Sequence, residues 1–138
     1  MSAEPLDLLR LDEAVALLER RLGAVDALWI FGSQARGAAR DDSDVDLAAL
    51  FARRPDPLAL LDARADLAAL LGRDVDLVDL DGASPILAMQ VLRHGRALRT
   101  RDPRRVHRFV ARTITRYEDL RLVRRPAERI LLARITNG

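Results

Sequence analysis

Two aspartates set two residues apart, Asp44 and Asp46, are the first side chains in this sequence whose spacing could do chemistry. On an extended strand, residues two apart share a face, with Cα atoms about 6.6 Å apart. Carboxylates at that spacing can hold a pair of hard cations, Mg²⁺ or Mn²⁺, which in two-metal sites sit about 3.5–4 Å apart. Two like charges on one face of a strand repel each other, so the fold must compensate them. An isolated Asp-x-Asp is common in turns, but here Gly32-Ser33 stands twelve and eleven residues before Asp44. Glycine lets a phosphate approach the backbone, where free amides and the Ser33 hydroxyl would hold its oxygens. Arg36, about one turn further on, would add a charge-assisted contact to the same anion. The pattern is a site with an anion end and a metal end.

A third carboxylate is expected from a neighbouring strand, and the run Val75-Asp76-Leu77-Val78-Asp79 offers two candidates. If Val75 and Leu77 face the helices, Asp76 faces the other side, like Asp44 and Asp46, whereas Asp79 shares the apolar face or ends the strand. Alternation therefore favours Asp76, with Asp79 left as the other choice.

The elements that must position these groups follow from pattern and punctuation. Leu8, Leu11, Val15, Leu18 and Leu22 recur at helical steps before Gly23, predicting a helix over Asp7 to Leu22. Ala27 to Phe31 reads as a short buried strand, and Asp44 to Leu50 as a second. Asp56-Pro57 and Ser84-Pro85 are each a cap followed by proline at the first helical position. They open helices that stop at Gly72 and Gly95. Val75 to Leu80 is a third strand, and Arg96 to Thr100 a short edge strand. Asp102-Pro103 opens a long final helix with Val106, Phe109, Val110, Thr113, Ile114, Tyr117 and Leu120 on one face, which Pro126 should break or kink. The fold class is α/β (α+β), a short mixed sheet with helices packed on it. One domain over 1–138 is expected, with a core of about 24–100 and a C-terminal helical region of about 102–134.

The sequence has 138 residues, 49% hydrophobic and 32% charged, the balance of a globular domain. Absence of cysteine removes thiol nucleophiles and Cys-ligated zinc. Absence of lysine removes a Walker A loop, a protein-kinase site and Schiff-base chemistry. No apolar run reaches the roughly 20 residues of a membrane span, so a cytoplasmic location is expected. Residues 1–92 carry 9 Arg against 17 acids, a net of −8, while 93–138 carry 14 Arg against 4 acids, a net of +10. Arg104, Arg105, Arg108, Arg112 and Arg116 recur at helical spacing and could meet RNA phosphates or an acidic protein surface. Aromatic residues for base stacking are sparse there, which favours the protein surface and argues against direct nucleic-acid binding. His94 and His107 lack a paired carboxylate spacing and read as helix-end or surface residues. Trp29 reads as strand core.

Trp29-Ile30-Phe31-Gly32-Ser33-Gln34-Ala35-Arg36-Gly37, followed by Asp42-Ser43-Asp44-Val45-Asp46-Leu47, resembles the Gly-Ser-x10-Asp-x-Asp signature of polymerase-β-type nucleotidyltransferases. The Gly-Ser-x-Ala-Arg-Gly form and the stretch from Ser84 to Gly95 are most similar to the minimal (MntA-type) nucleotidyltransferase antitoxins encoded beside HEPN-domain ribonuclease toxins. The resemblance covers residues 27 to about 100. It implies a polymerase-β-like fold in which Gly32, Ser33 and Arg36 hold the triphosphate of ATP. It further implies that Asp44, Asp46 and Asp76 ligate two Mg²⁺ ions (Mn²⁺ as a substitute) and carry catalysis. The implied reaction is transfer of AMP to a tyrosine hydroxyl of the HEPN toxin, bound as a hetero-oligomer, with release of pyrophosphate. Two alternatives remain at this point: adenylylation of a small hydroxyl compound of the aminoglycoside type, and a non-catalytic antitoxin acting by binding.

Overall fold

A computed structural model describes residues 8–32 and 44–137, with side chains described for 10–32 and 44–122. The elements are α1 (Leu8–Leu22), β1 (Val25–Phe31), β2 (Val45–Phe51), α2 (Pro57–Leu71), β3 (Val75–Asp79), a 3-10 turn (Leu80–Gly82), α3 (Pro85–His94), β4 (Arg96–Thr100) and α4 (Pro103–Asn137). The four strands form one mixed sheet in the order β3-β2-β1-β4. β1 is antiparallel to both β2 and β4, and β2 is parallel to β3. The parallel pair is joined by the crossover helix α2, as parallel strands require.

Local chemistry sets the helix ends. The Asp56 side chain accepts from the Ala59 N–H at 3.2 Å, and Gly72 closes α2 in the left-handed conformation at φ 66°. Ser84 caps α3 by accepting from the Leu87 N–H at 3.1 Å.

Both faces of the sheet carry helices, which explains why β1 reads as a continuous apolar run rather than an alternating one. Leu28, Ile30, Val45, Leu47 and Val75 pack under α1 and α2 with Leu18, Ala63 and Leu67. Ala27, Trp29, Ala48 and Leu50 pack on the other face with Ala88 and Val91 of α3 and Phe109 of α4. Trp29 is buried strand core.

Four expectations need correction. β1 starts at Val25, not Ala27, because the intervening Asp26 is neutralised inside the fold. Asp26 is 5% exposed, and its carboxylate pairs with Arg101 at 2.6 Å and with Arg105 at 3.4 Å. Arg105 also pairs with Asp81 and donates to the Phe51 carbonyl at 3.2 Å. Arg112 reaches Asp81 at 3.7 Å. Thus two members of the arginine series on α4, Arg105 and Arg112, are engaged within the chain, whereas Arg104, Arg108 and Arg116 are exposed. Ile114, expected on the packed face of α4, is 47% exposed, while Phe109 and Thr113 are buried. Finally, α4 continues to Asn137, so Pro126 does not end it. A proline inside a helix removes one backbone donor and crowds the carbonyl four residues before it, which a helix can accommodate by bending without ending.

Candidate functional site

The site lies where the C-terminal end of β1 meets the N-terminal ends of β2 and β3. Antiparallel pairing sets Phe31 opposite Asp46, and parallel pairing sets Asp46 opposite Asp76. Asp44, Asp46 and Asp76 share the strand face that carries Ala48, Leu50 and Val78, the face covered by α3 and α4. Along β2 that cover thins toward the start: Leu50 and Ala48 are fully buried, Asp46 half-buried and Asp44 exposed. The carboxylates emerge where the helix layer ends.

Gly32 turns the chain out of β1 at φ 72°, in the left-handed region that glycine adopts without strain. A Cβ at this position would collide with the Asp46 carboxylate. The bare backbone at Gly32 therefore lies directly against a site carboxylate. Ser33 and Arg36 lie outside the described residues.

The electrostatics mark the same cluster. The Asp46 carboxyl is held above the usual carboxylate range, first by burial, then by the Asp76 charge, then by the Asp44 charge. Three carboxylates at one sheet end favour a bound cation or proton. Among the described residues, no three acidic or histidine side chains close around a single ion. The donor set is nevertheless all hard carboxylate oxygen, which suits Mg²⁺ or Mn²⁺ and no soft metal.

Asp79 is placed elsewhere. It accepts from the Asp81 N–H at 3.3 Å, capping the 3-10 turn, and lies 3.8 Å from Arg54. Its carboxyl is also raised, by burial first and then by Asp81. It belongs with the turn after β3 and not with Asp44 and Asp46. His94 ends α3, and the Tyr117 ring carries the Arg93 guanidinium 5.2 Å from its centre.

One residue of this cluster has no sequence signature. Arg64, on α2, donates from Nε to the Val75 carbonyl at 2.7 Å and sits 3.3 Å from the Asp76 carboxylate. The only signal for it was the general requirement that adjacent carboxylates be compensated.

A mixed sheet with a glycine turn after its first strand and an Asp-x-Asp opening its second defines a nucleotidyltransferase. Residues 13–104 match the family model described as "Polymerase beta, Nucleotidyltransferase", and the chain belongs to that family. The chain is 33% identical over 114 residues to protein adenylyltransferase MntA of Shewanella oneidensis, spanning 82% of this chain and 81% of that protein. It is similar to the solved structure of a toxin–antitoxin complex with AMP-PNP, at TM-score 0.78 and 30% identity over 88% of this chain and 97% of that one. It is also similar to the MNT antitoxin structure solved with the tri-AMPylated HEPN toxin of Shewanella oneidensis. There the TM-score is 0.74 and identity 29%, over 90% of this chain and 97% of that one.

Proposed function

We propose that this chain is an antitoxin that transfers AMP from ATP to a tyrosine hydroxyl of a partner HEPN ribonuclease toxin, neutralising it. The observation that carries the reading is the carboxylate cluster of Asp44, Asp46 and Asp76 against Gly32. It is joined by the similarity to an antitoxin solved beside an AMPylated HEPN toxin.

In this reading the backbone at Gly32, the Ser33 hydroxyl and Arg36 hold the triphosphate and orient its α-phosphorus. Asp44, Asp46 and Asp76 would hold two Mg²⁺ ions, which supply charge neutralisation at the attacking and leaving oxygens. The tyrosine oxygen forms its bond to the α-phosphorus as the bond from that phosphorus to the bridging oxygen breaks. Pyrophosphate departs, and a carboxylate oxygen of Asp76 receives the phenolic proton.

The helical region of about 102–134 would contact the toxin through the exposed Arg104, Arg108 and Arg116, and the core of about 24–100 would carry the chemistry. No described helix is long and apolar enough to cross a membrane. A cytoplasmic location, where ATP and the toxin's RNA substrates are found, accords with this role.

The test is neutralisation of the toxin's ribonuclease activity by wild-type protein and by the Asp44→Asn, Asp46→Asn double variant, with ATP and Mg²⁺. Loss of neutralisation in the variant is expected. Full neutralisation by the variant would replace AMP transfer with inhibition by binding.

A further inference from the structure

The carboxylate cluster raises a physical problem that the proposed chemistry leaves unanswered. Asp44, Asp46 and Asp76 crowd one sheet end, where the neighbouring charges of Asp76 and Asp44 disfavour the ionised form of Asp46. Among the described residues, Arg64 is the only cation in an ion pair with any of the three. It comes from α2, which packs on the opposite face of the sheet, so its side chain must pass the free edge of β3 to arrive.

The geometry of that arrival is a two-point hold. Nε is anchored to the Val75 carbonyl at 2.7 Å, a backbone acceptor on the open edge of β3. NH1 then reaches Asp76 Oδ1 at 3.3 Å. A groove of about 390 Å³ lies beside the side chain, lined by Asp44, Ala65, Ala68 and Asp74 among others. With that open space alongside, the aim of the guanidinium comes from its polar anchors and not from packing. A guanidinium offers donors in a rigid fork, whereas a lysine ammonium is a single point charge.

We propose that Arg64 is a positioning residue. It fixes the Asp76 carboxylate relative to the β3 backbone and serves as the standing counter-charge of Asp76 before a metal–nucleotide complex binds. The inference rests on Asp76 being the third carboxylate of the proposed site. Hydrogen-bond partners of ligating carboxylates typically matter by about 10–100-fold in activity.

The test uses the full chain and its partner toxin, with Arg64→Gln, Arg64→Lys and Asp76→Asn. For AMP transfer, kcat of Arg64→Gln is expected to fall about 10–100-fold while KM for ATP stays unchanged. Arg64→Lys restores the charge without the fork, so its kcat stays low. In EDTA, Arg64→Gln is expected to lower Tm by about 2–4 °C, and Arg64→Lys to recover most of that loss. The same Arg64→Gln change in an Asp76→Asn background should cost much less. Full recovery of kcat by lysine, or an equal Tm loss in both backgrounds, would overturn the proposal. The EDTA cycle needs no activity, so a wild-type chain that transfers no AMP would defeat the functional reading alone and leave the Arg64–Asp76 coupling to be decided by Tm.

Discussion

Gly32→Ala separates a stability effect from a functional one. Gly32 sits at φ 72°, where an L-residue costs about 1–2 kcal/mol relative to its preferred conformations. The new methyl would also meet the Asp46 carboxylate, which is the free end of a side chain and can swing aside. The collision therefore adds little to the stability cost. The predicted loss is about 1–2 kcal/mol, a Tm decrease of a few degrees. Function should suffer far more, because swinging aside moves the Asp46 oxygens by about 1 Å or more, and misplacement on that scale costs about 100-fold. Gly95→Ala makes the contrast. Its Cβ would lie 2.5 Å from the Val91 carbonyl and 3.1 Å from the Ile30 carbonyl, both backbone atoms that cannot step away. That variant should lose more stability than Gly32→Ala. The assay is AMP transfer followed by mass, beside thermal unfolding of each variant. A Gly32→Ala protein with lowered Tm but wild-type kcat would refute the reasoning, since the orientation of Asp46 would then be immaterial.

Two further outcomes follow from charges inside the fold. Arg105→Met should cost about 3 kcal/mol in urea unfolding, because it strips Asp81 and half of the buried Asp26 of a partner. Arg112→Ala, at a half-exposed 3.7 Å contact, should cost less than about 1 kcal/mol; equal losses would mean the buried network carries no special weight. The raised Asp46 carboxyl makes native protein bind a proton more readily than the unfolded chain. Its ionisation penalty is absent below the ordinary value near 3.8, grows as pH rises through the window above it, and is complete beyond. In EDTA, Asp46→Asn should therefore be more stable than wild type at pH 7, with the advantage vanishing as pH falls toward 4. An advantage independent of pH would assign it to something other than charge.

What could be read from the sequence was what is local. Asp56-Pro57 and Ser84-Pro85 cap their helices through contacts three residues away, so both helix starts were legible, as was the stop at Gly72. The period of two along a strand was enough to put Asp46 and Asp76 on one face and to set Asp79 apart. Long-range charge pairing was not legible. Asp26 looks like a residue that ends or precedes a strand, and only Arg101 and Arg105, some 75 and 79 residues later, make it tolerable inside β1. Arg64 and Asp76 are separated by a helix end and a turn, and nothing in their spacing announces the pair. The helix layer on the second face of the sheet shows in the sequence only as the continuous apolar run of β1, and that α3 and α4 supply it was not legible.

The central claim is that the cluster at the ends of β1, β2 and β3 transfers AMP to protein. The most direct measurement is intact mass spectrometry of the partner HEPN toxin after incubation with this protein, ATP and Mg²⁺. A mass gain of one or more AMP units on the toxin is expected, abolished by Asp44→Asn. An unchanged toxin mass in a stable complex with the wild-type protein would contradict the claim.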